Sequence, residues 1–232
     1  MKYKAVFFDA GETLVHPHPS FPELFSQILQ GEGYDLEPKA ISDRILVISE
    51  RFKQAALENE LWSTSPERSK AFWLSVYRIF LEEIGVPSDE GLDHVLYEAF
   101  SDDGNYRLFE DVEPVLARLH EAGLTLGIIS NFEEWLEVLL ERLDITRYLP
   151  VRVISGIEGV EKPDPEIFEI ALSRAGVSAQ NSVYVGDNPV FDIEPAAAVG
   201  MFPVLIDRRK RHEELNGTRI TSMAELPALI GM

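Results

Sequence analysis

Short apolar runs punctuate the chain at wide intervals: Ala5–Phe8, Leu124–Ile129, Val151–Ile154, Val183–Val185 and Phe202–Ile206. They are rich in β-branched or aromatic residues and do not alternate strictly. That pattern suits parallel strands buried on both faces. Between them the apolar period changes to three or four. Val112–Glu121 places Val112, Val115, Leu116 and Leu119 on one stripe, with Asp111 as N-cap and Gly123 beyond the end. Phe132–Leu143 repeats the pattern. Pro165–Ala175 follows the N-cap and N1 pair Asp164-Pro165 and stops at Gly176. Strand alternating with helix predicts βαβ units in an open parallel sheet, an α/β fold.

One stretch breaks the alternation. From Pro19 to Phe100 only helical periodicity appears, in Phe21–Leu29, Ile41–Leu57, Arg68–Ile84 and Leu92–Phe100. This reads as a helical insertion of roughly eighty residues, the size of a small bundle. Its borders are linker-like: His16-Pro17-His18-Pro19 before it, Ser101-Asp102-Asp103-Gly104-Asn105 after it. Phe72, Trp73, Tyr77 and Phe80 lie inside it at spacings that predict core rather than a substrate box.

Composition narrows the function. The 232 residues carry a formal charge of −19, with 40 acidic against 21 basic side chains. Arg208–Arg211 is the only basic stretch, so no nucleic-acid partner is expected. Cysteine is absent, which removes thiol nucleophiles and Cys-based metal sites. No run approaches the ~20 apolar residues of a membrane span. No secretory segment is visible either, so a cytoplasmic protein without membrane contact is expected. The pattern carries no signal of oligomeric state.

Ligands of open α/β sheets bind beyond the carboxyl ends of the strands. There the sequence places Asp9, then Ser130 and Asn131, then Lys162, then Gly186, Asp187 and Asp192, then Asp207. Each has a plain structural alternative. Ser130 begins a Ser-x-x-Glu capping box with Glu133. Lys162 fits a solvated loop, Asp187 a turn, and Asp192 a helix N-terminus. Asp9 fits no such role, because a carboxylate directly after Val6-Phe7-Phe8 sits near the buried sheet edge. Converging acids repel one another unless a cation lies among them.

These residues, in this order, resemble the haloacid dehalogenase-like (HAD) hydrolase superfamily. The resemblance rests on Phe8-Asp9-Ala10-Gly11-Glu12-Thr13-Leu14, Ile129-Ser130-Asn131, Lys162 in Glu161-Lys162-Pro163-Asp164-Pro165, and Gly186-Asp187-Asn188-Pro189-Val190-Phe191-Asp192. Ala198-Val199-Gly200-Met201 is typical as well. The match spans the chain. It implies a Rossmann-like parallel sheet core, residues 1–15 and 106–232, with an all-helical cap, residues 16–105. It further implies Asp9 as the nucleophile on a small phosphorylated molecule. Mg²⁺ would be held by Asp9, the Gly11 carbonyl and Asp187, with Asp192 in direct or supporting contact. Ser130, Asn131 and Lys162 would bind the phosphoryl oxygens.

One departure stands out. The phosphatase form of the first motif is Asp-x-Asp-Gly-Thr, whose second Asp is the general acid and base. Here Gly11 and Glu12 exchange the acid and the glycine. Losing a positioned acid typically costs ~10²–10⁴-fold in rate. Glu12 is therefore a substitute catalytic candidate, against a solvated loop role. His16 and His18 are further candidates. Restriction to good leaving groups is another explanation. A metal- and phosphate-binding protein with little turnover is the first functional alternative. The second is a 2-haloacid dehalogenase, whose motif also lacks the second Asp and whose cap supplies an Arg, for which Arg44 and Arg51 are candidates. The retained Asp187 and Asp192 favour phosphate chemistry.

Overall fold

The computed structural model describes residues 2–88 and 91–232. Met1, Asp89 and Glu90, inside the expected core and insertion, lie outside the described residues. Among the described residues there are eight strands: β1 (Ala5–Phe8), β2 (Val15–Pro17), β3 (Tyr106–Leu108), β4 (Thr125–Ser130), β5 (Val151–Ile154), β6 (Ser182–Gly186), β7 (Phe202–Ile206) and β8 (Arg219–Ile220). Six form a parallel sheet in the order β5-β4-β1-β6-β7-β8. All five runs read from the sequence are strands, so the α/β class follows. The two-residue β8 is too short to leave a pattern.

Successive side chains of a strand point to opposite faces, and β1 shows the consequence. Val6 and Phe8 join a core with Leu126, Ile128, Val183 and Val185. Helices α6 (Val112–Glu121), α7 (Trp135–Arg142) and α11 (Leu226–Leu229) cover that face. Ala5 and Phe7 face the other way with Tyr184, under α9 (Pro165–Ala175) and α10 (Glu194–Ala198). The short α8 (Ser155–Glu158) follows β5 directly. Gly127 on β4 is required by close packing: a Cβ would sit 2.8 Å from the Phe7 ring and from the Val151 carbonyl.

The insertion comprises α1 (Phe21–Gly31), α2 (Pro38–Ser42), α3 (Leu46–Glu58), α4 (Pro66–Glu83) and α5 (Leu92–Phe100). These helices have their own apolar centre, with Phe25, Leu29, Ile41, Phe80, Leu81 and Leu96 fully buried. The single helix expected over Ile41–Leu57 is two. Tight i→i+3 bonds at Arg44, Ile45 and Val47 separate them while leaving the apolar spacing in phase. Entering and leaving the insertion, the chain pairs β2 antiparallel with β3, Val15 opposite Leu108. No helix among the described residues is long and apolar enough to cross a membrane.

Two expected caps take other roles. Asp111 precedes α6 but its side chain does not cap it. It accepts instead from Arg208, from Ser222 Oγ at 2.6 Å and from the Met223 N–H at 2.8 Å, tying α6 to the C-terminal segment. The Ser130–Glu133 capping box does not form, because β4 runs through Ser130 and α7 begins only at Trp135. The Asp164 cap holds: its side chain accepts from the Glu166 N–H at 2.9 Å, and Gly176 ends α9 at φ +64°.

Candidate active site

At the carboxyl end of β1, Asp9 is buried with 7% exposure, and its N–H donates to Val185 O at 2.9 Å. Lys162 arrives from the loop after β5 and is 2% exposed. Its Nζ donates to Asp9 Oδ1 at 2.7 Å, to Asp192 Oδ1 at 2.6 Å and to Tyr184 OH at 3.1 Å. Ser130 Oγ donates to the same Asp9 oxygen at 3.0 Å. Asn131 fixes the lysine loop: its Nδ2 donates to Lys162 O at 2.8 Å and its Oδ1 accepts from Lys162 N at 2.7 Å. That pairing uses the Asn131 Oδ1 and one of the two Nδ2 hydrogens, leaving its other Nδ2 hydrogen as a donor for an anion.

The loop after β6 supplies the other acids. Asn188 accepts from the N–H groups of Val190 and Phe191, closing the turn Pro189–Ile193 that returns Asp192 to the site. Asp192 Oδ2 accepts from Asn188 N at 2.9 Å. Its approach explains Gly186, where a Cβ would lie 2.4 Å from Asp192 Cγ. Carboxylate oxygens of Asp9, Asp187 and Asp192 lie within 4.8 Å of one another.

Three acids therefore face one ammonium. Burial lifts the Asp9 carboxyl above its ordinary value; Lys162 opposes this and Asp192 adds to it. Asp187 stands well above the usual range through burial, then the charges of Asp192, Asp9 and Glu12. Burial alone would lower the Lys162 ammonium, but Asp192 and Asp9 outweigh it and raise it. Both Asp192 oxygens are already bonded to protein donors. Among the described residues nothing donates to Asp9 Oδ2 or to the Asp187 carboxylate. An oxygen-only set with surplus negative charge fits a hard divalent cation such as Mg²⁺.

These groups open into a cavity of about 330 Å³ between the sheet edge and the insertion, lined by Asp9, Gly11, Ser130, Lys162, Asp187 and aromatic side chains. Of the four aromatic residues expected to be core, Phe72 and Phe80 are buried in the insertion, whereas Trp73 and Tyr77 also line the cavity. Two core-borne acids bind the insertion. Glu161, beside the lysine, accepts from Trp62 N, Ser63 N and Ser63 Oγ at 3.1, 2.6 and 2.8 Å. Glu133 accepts from Ser69 Oγ at 2.7 Å and Tyr97 OH at 3.2 Å.

Other candidates fall elsewhere. Asp207 is committed to the turn after β7, accepting from Arg211 N, His212 N and Arg219. His16 and His18 do not line the cavity. Arg44 pairs with Glu83 and Arg51 with Glu60, and neither lines the cavity. Glu12 does line it, but its carboxylate is paired with Arg209 at 2.8 and 3.1 Å. Glu12 takes φ +54°, a left-handed conformation. That explains physically why the phosphatase motif favours Gly there. Arg209 and Arg211 also line the cavity. Their basic run directly follows a strand, a position that marks candidates for a sheet-edge site.

The profile of the haloacid dehalogenase-like hydrolases matches residues 3–200. The chain is 30% identical over 230 residues to haloacid dehalogenase-like hydrolase domain-containing protein 3 of Danio rerio, covering 96% of this chain and 94% of that protein. It is 32% identical over 216 residues to glyceraldehyde 3-phosphate phosphatase of Methanopyrus kandleri, covering 89% and 85%. The solved HAD-hydrolase YfnB of Bacillus subtilis, bound to magnesium, superposes with a TM-score of 0.78 over 100% of both chains at 16% identity. Solved 2-haloacid dehalogenases share the fold as well. The chain belongs to the haloacid dehalogenase-like hydrolases, an enzyme family.

Proposed function

We propose that the protein is a Mg²⁺-dependent phosphatase of a small phosphorylated molecule, working through an aspartyl-phosphate on Asp9. The observation that carries the reading is the convergence of Asp9, Asp187 and Asp192 on Lys162 at the floor of the cavity. Relatives named as phosphatases support it. In this reading residues 1–15 and 106–232 are the catalytic core and residues 16–105 a cap.

Asp9 Oδ2, the Asp187 carboxylate and the Gly11 carbonyl would hold Mg²⁺, with Asp192 in support through Lys162 and Asn188. The ion would supply charge neutralisation at the phosphoryl group. Lys162 and Ser130 bind phosphoryl oxygens and orient Asp9. Asp9 attacks phosphorus, the bond to the ester oxygen breaks, and the electron pair leaves with that oxygen. Water then hydrolyses the acyl phosphate. The closed insertion keeps bulk water from the reacting groups.

The test is phosphate release with and without Mg²⁺. Mg²⁺-dependent turnover that Asp9→Asn abolishes is expected. Mg²⁺ binding with no turnover on a broad phosphate panel would instead establish the binding-protein alternative, which Gly11 favours. Dehalogenation is disfavoured, because Arg44 and Arg51 are both paired outside the cavity. Metal-independent halide release from a 2-haloacid would reverse that judgement.

A further inference from the structure

Two independent features of the cavity bear on what it accepts. The first is the wall that the insertion contributes. Twelve described residues between Phe21 and Ser101 line the cavity, and none carries a charge: seven are aromatic, two are isoleucine and three are serine. Phe52 belongs to this wall, edge-on to Trp62 at 5.0 Å and to Trp73 at 5.5 Å, and edge-on to Phe191 of the core at 6.3 Å. The cationic groups are all on the core side. Lys162 bonds Asp9, Arg209 pairs with Glu12, the residue after Gly11, and Arg211 lines the same cavity. A bound phosphate ester thus has its anionic end among cations and its leaving group against uncharged rings.

The second feature is the missing proton donor. Gly11 has no side chain, and no neighbour lies within 4 Å of the place its Cβ would occupy. Outside the acid cluster, the cavity's other carboxylates are both engaged: Glu12 with Arg209, Glu133 with Ser69 and Tyr97. The histidines of the β2 segment lie outside the cavity. Without a general acid, an ester oxygen must leave unprotonated. An alkoxide does this poorly and a phenolate readily.

Resting on the phosphatase reading, we propose that the substrate is an aryl phosphate, a phosphate monoester of an uncharged phenol whose ring occupies the aromatic chamber. Asp9 forms the new bond to phosphorus, the bond from phosphorus to the phenolic oxygen breaks, and the electron pair leaves as phenolate, which takes its proton from water.

The experiment measures phosphate release by the intact Mg²⁺-loaded protein from four esters. Phenyl phosphate has ring and leaving group, and cyclohexyl phosphate has similar bulk but a poor leaving group. Acetyl phosphate has a good leaving group without a ring, and phosphoserine is polar and charged. Phenyl phosphate is expected to exceed cyclohexyl phosphate in kcat by at least ~10²-fold, the low end of what a general acid supplies. It should exceed phosphoserine in kcat/KM by more, and have a lower KM than acetyl phosphate. Phe52→Leu, chosen to preserve bulk and folding, should raise KM for phenyl phosphate more than for acetyl phosphate. Equal kcat on the phenyl and cyclohexyl esters, preference for phosphoserine, or a uniform Phe52→Leu effect overturns the proposal while leaving a phosphatase. Release from none of the four overturns the phosphatase reading and this proposal with it.

Discussion

Removing the Glu161 carboxylate tests how firmly the insertion is joined to the core. The group is 4% exposed and accepts from two backbone N–H groups, Trp62 and Ser63, and from Ser63 Oγ. Ser155 Oγ, fully buried, extends the network to Ser63 Oγ at 2.7 Å. In Glu161→Ala both backbone donors lose their acceptor, at about 1–3 kcal/mol each. Part of that loss is offset, because burial already disfavours the ionised carboxylate and lifts it above its ordinary value. The expected net loss is roughly 2–4 kcal/mol, or about 4–16 °C in Tm for a chain of this size. Ser63→Ala removes one hydroxyl and should lose only ~1 kcal/mol. Urea unfolding and thermal melts of the two variants make the comparison. A Glu161→Ala loss no larger than that of Ser63→Ala would refute the reasoning.

Four further outcomes are expected. In Gly11→Asp the added Cβ meets nothing within 4 Å, and the change should raise kcat on alkyl phosphates by up to ~10²–10⁴-fold, with little gain on aryl phosphates; equal gains in steady-state assays would argue against a missing acid. Burial alone would raise the Asp111 carboxyl, but hydrogen bonds from Arg208 and Ser222 and the Arg208 charge bring it below its ordinary value. Its stabilisation is therefore complete above the unfolded value and lost as pH falls through the folded one, so Asp111→Asn should flatten the acid limb of a stability–pH curve. Glu12→Gly relieves a left-handed residue worth ~1–2 kcal/mol against an ion pair worth ~0–1 kcal/mol, and urea midpoints should stay level or rise. Mg²⁺ should raise Tm in wild type and not in Asp187→Asn, as read by thermal shift.

The parts of the fold legible in the sequence are those fixed by local pattern. Apolar runs locate five strands because both faces of a parallel sheet are buried. Asp9, Ser130, Lys162, Asp187 and Asp192 could be named because strand ends converge whatever the loops between them do. The parts not legible in the sequence depend on the path of a loop. Glu161 and Glu133 are ordinary acids until the insertion folds over them. Arg209 and Arg211 reach the cavity only because the turn held by Asp207 points that way. The break between α2 and α3 left the apolar spacing intact, so periodicity ran through it. Trp73 and Tyr77 show a last difficulty: helical spacing says that a residue is inward, but not whether inward means core or cavity.

The β2–β3 ribbon has a mechanical consequence. The chain passes from core to insertion and back through two strands paired side by side, Val15 opposite Leu108. The five helices are therefore tethered to the core through one two-stranded ribbon. Two antiparallel strands joined in one ladder resist twisting and shear more than bending across the ribbon. That ribbon is rooted in the loop after Asp9: Leu14 and Val15 donate to Ala10 O, Glu12 donates to Val15 O, and Phe109 donates to Leu14 O. A displacement of the ribbon would therefore be felt first in the few residues that follow Asp9.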